Sequence, residues 1–596
     1  MLKYFKIGRY GLAALMSILC SVALRLVLLA RGWPVTNSDE ATMGLMARDI
    51  AYRGQLPIFF YGQYYMGALE AYIAAAVFRL SSSSLFSLRL GLVLLFALFL
   101  LSTYLLTSLL YSKAWALVVV VLLGLGSSFV LARELGAIGG YPETLLFGSL
   151  AFLLASKLAL TCESGPARER WRYAGYAGWG LVVGLGLWSD LLIAPFVLCS
   201  GFLLLVCCWR ELGRITAGLC ALLGLVIGAL PLLYYNFTAA PGEDSLSVLW
   251  QIQHSGDGYL VAHFVQQVFG TLQISIPMMT GSPFCSVPER LENGVMSSLS
   301  CTLVRVGWGA GYVLLFTLAL VLAVRAVLRS PRLRLMRVSC GRWWARVGFL
   351  RGGQRQPQGI VATRASEAGR GRQPQGIVAM REKDWQSFVI DSARLLLLGS
   401  ALITLLLYAM GTSPVEWPGS RSRYLIGLLI ATPAILWPLW YGIAKMSSQR
   451  TGISRLSKGV CTGVLLLVMV LLLLGTVNTF GEVPAVERAN QRQQALINHL
   501  VEIRATHIYS DYWTCDRLAF VSNERVICGV VEQDLQRSKN FNRDAAYYPI
   551  VSADPQACYV FSVYTPISPL AVQTKLAPNK YKHSIFEQYS IYQPLA

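Results

Sequence analysis

Asn37-Ser38-Asp39-Glu40-Ala41, then Ala47-Arg48-Asp49-Ile50, then Phe60-Tyr61-Gly62-Gln63-Tyr64-Tyr65-Met66-Gly67-Ala68-Leu69-Glu70-Ala71-Tyr72 follow an apolar run over residues 11–30. Acids beside a membrane helix are costly unless they face a cavity or serve chemistry. An acidic pair next to aromatic and glycine-rich sequence therefore marks a reaction centre at the outer bilayer face, and the rest of the chain has to supply a membrane scaffold.

The composition agrees. Of 596 residues only 14% are charged, and 55% are hydrophobic. Mean hydropathy is +0.52. Runs near the ~20 residues that cross a bilayer recur along the chain. Spans are expected near 11–30, 88–110, 114–132, 143–160, 174–189, 191–209, 215–233, 306–326, 394–410, 424–443 and 459–478, about eleven crossings. The fold class is mainly α, a polytopic transmembrane helical bundle over 1–479, followed by a small extracytoplasmic α/β domain over 480–596. The N-terminus is read as cytoplasmic, with residues 11–30 an uncleaved first helix. Residues 39–53 and 66–80 are expected as interfacial helices in the outer loop 31–87.

The net charge of +20 is unevenly spread. Residues 325–383 hold fourteen Arg or Lys against Glu367 and Glu382. A basic loop between apolar runs is a cytoplasmic topology signal rather than a nucleic-acid surface. This insert, 327–393, contains Arg355-Gln356-Pro357-Gln358-Gly359-Ile360-Val361-Ala362, repeated at 372–379, and carries no chemistry. A second outer loop, 234–305, is expected to hold a surface helix between Leu246 and Phe269. The C-terminal domain reads as a helix from Ala485 to Arg504, then strands at Thr506–Tyr509, Leu518–Val521, Val526–Val531 and Cys558–Val563.

The thirteen cysteines show no zinc or haem spacing. Cys285 can pair with Cys301, and two of Cys515, Cys528 and Cys558 with each other. The five histidines form no metal-binding helix motif. Nucleotide-binding glycine loops and nucleophile elbows are also missing from the sequence, and the glycines of 180–186 fit helix packing.

Asp39 and Glu40 are the leading catalytic candidates, although acids in a first helical turn also serve as caps. Tyr61, Gln63, Tyr65 and Glu70 follow as substrate-binding candidates. Glu143, after Pro142, is a second acidic position, or simply an N-terminal helix acid. Glu134 is expected to pair with Arg133. Asp190, at an outer hairpin, is an accessory candidate, because a charge at mid-membrane costs about 2.5–3.5 kcal/mol. Arg421 and Arg423 before an outer helix start suit a phosphate, through catalysis or mere headgroup contact. Arg89 is an alternative cation.

Asp39-Glu40-Ala41, the stretch from Arg48 to Pro57 and Tyr61-Gly62-Gln63 followed by Gly67 resemble the first outer loop of GT-C membrane glycosyltransferases, the superfamily of protein O-mannosyltransferases and the lipid A aminoarabinose transferase. The resemblance is clearest over 35–75 and returns at Arg423-Tyr424-Leu425. It implies a glycosyltransferase of the cell envelope, in a prokaryotic plasma membrane, that uses a polyprenyl-phosphate-linked sugar donor. The acceptor would be a protein, lipid or glycan. Asp39 takes the role of base, Glu40 that of its neighbour, and Glu143 that of the second acid. A Mg²⁺ or Mn²⁺ ion held by Asp39 and Glu143, with Glu40, is compatible with these oxygen ligands. The aminoarabinose enzymes have a Lys-Pro-Pro-Leu stretch where this chain has Gln63 to Leu69, which leaves Arg421 and Arg423 to meet the donor phosphate. The rival reading is a transporter or lipid-handling protein with acids and arginines along a pathway.

Overall fold

The computed structural model describes residues 8–162, 169–254, 264–281, 298–330, 375–446, 452–565 and 567–595. In chain order come α1 (Arg9–Ala30), α2 (Ser38–Arg48), the hairpin strands β1 (Phe59–Phe60) and β2 (Gln63–Gly67), α3 (Leu69–Leu80) and α4 (Leu85–Leu110). Next are α5 (Lys113–Gly124), α6 (Ser128–Leu135), α7 (Tyr141–Leu160), α8 (Glu169–Ser189), α9 (Ala194–Leu212), α10 (Ile215–Gly228) and α11 (Leu230–Thr238). The segments α12 (Ser245–His254) and α13 (Phe264–Gly270) precede the long helices α14 (Leu299–Arg329), α15 (Gln375–Ala409) and, after the shorter α16 (Leu428–Ile435) and α17 (Trp437–Met446), α18 (Gly452–Glu502). The repeated basic insert and Cys285 lie outside the described residues.

Helices dominate because a backbone in hydrocarbon has to satisfy its own hydrogen bonds. Among the described residues seven helices are long and apolar enough to cross a membrane, or up to ten if three bent pairs each count as one span. The chain is an integral membrane protein on this ground. The bends are 90° between α5 and α6, 68° between α10 and α11, and 65° between 418–425 and 428–444. Each falls where the ladder is easiest to interrupt: Gly126 before the Ser127 cap, Pro231 at the start of α11, and Gly427. The expected span 174–189 is helical as α8 but is not among those seven to ten. Its tyrosines, tryptophans and glycines dilute its apolar character.

Those glycines have a packing role. A Cβ on Gly180 would lie 2.1 Å from the Ala221 carbonyl oxygen, and one on Gly224 would lie 2.1 Å from that of Ala177. Gly184 and Gly228 meet the backbone of the opposite helix in the same way, at 2.4 Å. The backbones of α8 and α10 thus touch directly, which only small residues allow. Gly224→Leu is expected to destabilise the protein by about 1–3 kcal/mol or more, read as a lower unfolding midpoint in detergent.

The domain boundary expected at 480 falls inside α18, which runs unbroken for 51 residues from the bundle into the C-terminal part. There β3 (His507–Ser510), α19 (Tyr512–Val521), β4 (Ile527–Val530), β5 (Cys558–Ser562), β6 (Tyr581–Phe586) and β7 (Tyr589–Pro594) build one sheet in the order β4-β3-β5-β7-β6. β3 is parallel to β4 and β5, whereas β7 is antiparallel to β5 and β6. The strand expected at Leu518–Val521 is instead the end of α19. Its buried Tyr512, Cys515, Asp516, Ala519 and Phe520 recur with helical spacing, which a four-residue apolar run hides. Cys515 and Cys528 form a disulfide, tying α19 to β4. Cys558 is free, and Cys301 is disulfide-bonded.

Candidate active site

Asn37 starts the site. Its side chain accepts the Glu40 N–H at 2.9 Å and so fixes the first turn of α2. Successive helical residues point about 100° apart, so the two acids of that turn part company. Asp39 faces a pocket. Glu40 turns inward, where Arg89 grips it with two hydrogen bonds of 2.7 and 2.6 Å and the Ala137 N–H adds a third at 3.2 Å. Glu40 is 2% and Arg89 1% exposed, so this ion pair is internal architecture and neither partner is open to substrate.

The pocket has a volume of about 450 Å³. Its polar wall carries Asp39, Gln63, Tyr65, Tyr141, Asp190, Arg423 and Tyr424, and its apolar wall includes Leu191, Leu192, Pro195 and Leu407. It is assembled from the β1–β2 hairpin, the start of α7, the α8–α9 turn and the segment 404–424. Glycine is needed at the corner before α7. Gly139 and Gly140 have φ of 97° and 74°. A Cβ on Gly140 would lie 2.5 Å from that of Asp190.

Arg423 lies over the rings of Tyr424 and Tyr141, 5.4 and 5.9 Å from their centroids. Its Nε is buried without a hydrogen-bond partner among the described residues. Asp39 and Asp190 both lie within its electrostatic reach. Asp190 caps the turn after α8, accepting the Leu192 N–H at 2.8 Å. Burial pushes its carboxyl up to about 6, against the opposing pull of that N–H and of Arg423.

Several candidates lie elsewhere. Glu143 sits behind the pocket against Glu70, which accepts the Gly139 N–H at 3.1 Å. Burial and the Glu143 charge push the Glu70 carboxyl well above the usual carboxylate range. The Tyr61 hydroxyl donates to Asp49 at 2.7 Å, and Arg421 pairs with Glu416 at 2.6 Å. Arg421 and Tyr61 do not line the pocket. Glu134 pairs across the bundle with Arg25 at 2.5 Å rather than with Arg133.

Sequence reasoning missed Tyr141, Tyr424 and, above all, Tyr512. The Tyr512 hydroxyl, at the start of α19, donates to Asp39 Oδ1 at 2.5 Å. Three further contacts dock α19 onto α2: Ser38 Oγ to the Tyr512 carbonyl (2.5 Å), Thr42 Oγ1 to Asp516 (2.5 Å) and Arg48 to the Phe520 carbonyl (2.8 Å). Arg53 and Glu524 add an ion pair at 2.7 Å, and Arg543 donates to the Gly62 carbonyl at 3.1 Å. The C-terminal part is therefore docked on α2 and reaches Asp39 through Tyr512, although none of its residues lines the pocket. Nothing local to Tyr512 in the sequence signals this, because the contact spans 473 positions.

No protein-family model matches this sequence, and no curated protein matches it. Among solved structures, the apo oligosaccharyltransferase of Archaeoglobus fulgidus aligns with a TM-score of 0.50 at 13% identity, covering 94% of this chain and 70% of that one. ArnT from Cupriavidus metallidurans, bound to undecaprenyl phosphate, aligns at 12% identity and a TM-score of 0.49 over 98% of each chain. With its helical bundle and appended C-terminal sheet, the chain shares the fold of the Archaeoglobus fulgidus oligosaccharyltransferase.

Proposed function

We propose that the protein moves one sugar from a polyprenyl-phosphate donor to an acceptor hydroxyl at the extracytoplasmic face. The observation that carries this reading is the pairing, within one pocket, of an acid held by a tyrosine and an arginine whose Nε lacks a partner among the described residues. The leaving group of such a donor is already good, so the protein has to orient the acceptor, take its proton and meet the departing charge. Asp39 accepts the proton as the acceptor oxygen bonds to the anomeric carbon. The bond from that carbon to the phosphate oxygen breaks, and the phosphate leaves with the electron pair towards Arg423. Tyr512 keeps the Asp39 carboxylate aimed into the pocket, while the apolar wall formed by Leu191, Leu192, Pro195 and Leu407 borders the first part of the lipid chain.

A divalent cation, when bound, would neutralise charge on the phosphate. Asp39, Asp190 and Gln63 offer the hard oxygen ligands that Mg²⁺ or Mn²⁺ prefers. Glu40 and Glu143 are engaged with Arg89 and Glu70 instead. Among the described residues no group of three acids around Asp39 brings its oxygens within 4.8 Å of one another, so no step is routed through a metal. The Cys515–Cys528 disulfide favours an oxidising compartment for the C-terminal domain.

Arg423→Ala should weaken transfer about 10- to 100-fold at low donor concentration, through loss of a charge-assisted bond to phosphate. Arg421→Ala, which breaks the half-exposed pair with Glu416 and a hydrogen bond to Thr412, should stay close to wild type. Initial rates against donor concentration check both. A normal donor dependence in Arg423→Ala would remove the arginine from phosphate binding.

A further inference from the structure

We propose that the cleft at the carboxyl ends of β4, β3 and β5 is a carbohydrate-binding site; that it holds the acceptor beside Asp39 rests on the glycosyltransfer reading above. The cleft has a volume of about 560 Å³, within the range of small-ligand sites. It opens where parallel strands end, between Asp511 after β3, Val530 and Val531 at β4, and Phe561 and Ser562 at β5. Crevices at the carboxyl ends of parallel strands are where such sheets bind ligands.

Its chemistry matches a sugar ring, which has apolar C–H faces and hydroxyl edges. Trp513 is 59% and Tyr564 76% exposed at this cleft, and both offer flat rings for stacking. Asp511 uses one carboxylate oxygen to accept from Thr514 at 2.9 Å, and no described residue donates to the other. Arg517 donates to Gln493 at 2.9 Å, while its Nε is buried with no partner among the described residues. A hydroxyl pair can bridge such an acceptor and donor. A polyphosphate or nucleotide fits poorly, because Asp511 stands at the N-terminus of α19 and Glu532 also lines the cleft.

The cleft and the catalytic pocket are linked by one residue. Tyr512 lines the cleft, and its hydroxyl reaches Asp39. A sugar stacked on Trp513 therefore lies beside the tyrosine that holds the base.

The test uses the full-length protein in detergent and saturation-transfer NMR with the methyl glycosides of glucose, galactose, mannose and N-acetylglucosamine, together with disaccharides built from them. At least one saccharide should bind. Trp513→Ala should weaken its binding about tenfold, Trp513→Phe should retain most of it, and Asp39→Asn should leave it within about twofold of wild type. Because Trp513 is exposed, an unchanged melting temperature verifies folding. The proposal is overturned if no saccharide binds, if binding survives Trp513→Ala, or if Asp39→Asn rather than Trp513→Ala abolishes it. Failure of the cleft alone would leave transfer by Asp39 intact, whereas saccharide binding together with full transfer by Asp39→Asn would sink the catalytic reading and spare the cleft.

Discussion

Asp39→Asn is expected to lower the turnover of sugar transfer by about 10²–10⁴-fold, the usual contribution of a positioned general base. Asparagine has nearly the same shape and can still accept the Tyr512 hydroxyl, so the docking of α19 on α2 should persist. What it loses is the ability to take a proton from the acceptor. Membrane expression, melting temperature and donor binding should therefore stay near wild type while turnover collapses. Glu40→Gln makes the contrast. Glu40 is sealed against Arg89 and faces no substrate, so its change should act on stability and spare the chemical step relative to Asp39→Asn. Equal losses of turnover in folded forms of both variants would contradict the assignment of different jobs to the two acids.

The second large effect concerns stability. Arg89→Ala should cost about 3–5 kcal/mol, because removing one partner of a buried ion pair leaves an uncompensated charge. Here Glu40 would be stranded at 2% exposure with only the Ala137 N–H for company. The readout is a lower melting temperature in detergent and lower yield from membranes. Replacing both partners with leucine should recover much of the loss, since two apolar groups of similar volume leave no charge behind. If Arg89→Ala melts like wild type, the pair contributes little to the fold around the outer loop.

Much of this was legible in the chain. The apolar runs gave the bundle, and ten of the eleven expected spans fall on helices, or bent helix pairs, long and apolar enough to cross a membrane. The eleventh, α8, is helical but less apolar, because glycines that touch α10 replace larger apolar side chains. The outer-loop acids stood out because charge beside a membrane helix is expensive. What adjacency in sequence could not convey was direction. Asp39 and Glu40 are neighbours, yet one turn of helix sends the first to the pocket and the second to Arg89. Arg421 and Arg423, two residues apart in a tight helical turn, likewise point to opposite sides, and only Arg423 lines the pocket. Glu143 follows Pro142 in the first turn of α7, yet Tyr141 lines the pocket and the acid packs against Glu70. Tyr512 was out of reach for a different reason. Its contact with Asp39 arises because α19 packs on α2 across 473 positions, and no local pattern encodes that docking.

The most direct measurement is to incubate the purified wild-type protein with polyprenyl-phosphate sugars, one donor at a time, together with an envelope extract that supplies acceptors, and to quantify the free polyprenyl phosphate released. The account predicts acceptor-dependent release with at least one donor, coupled to appearance of the sugar on an acceptor and lost in Asp39→Asn. Release that is unaffected by Asp39→Asn, or no release with any donor from protein that melts cooperatively, would contradict it.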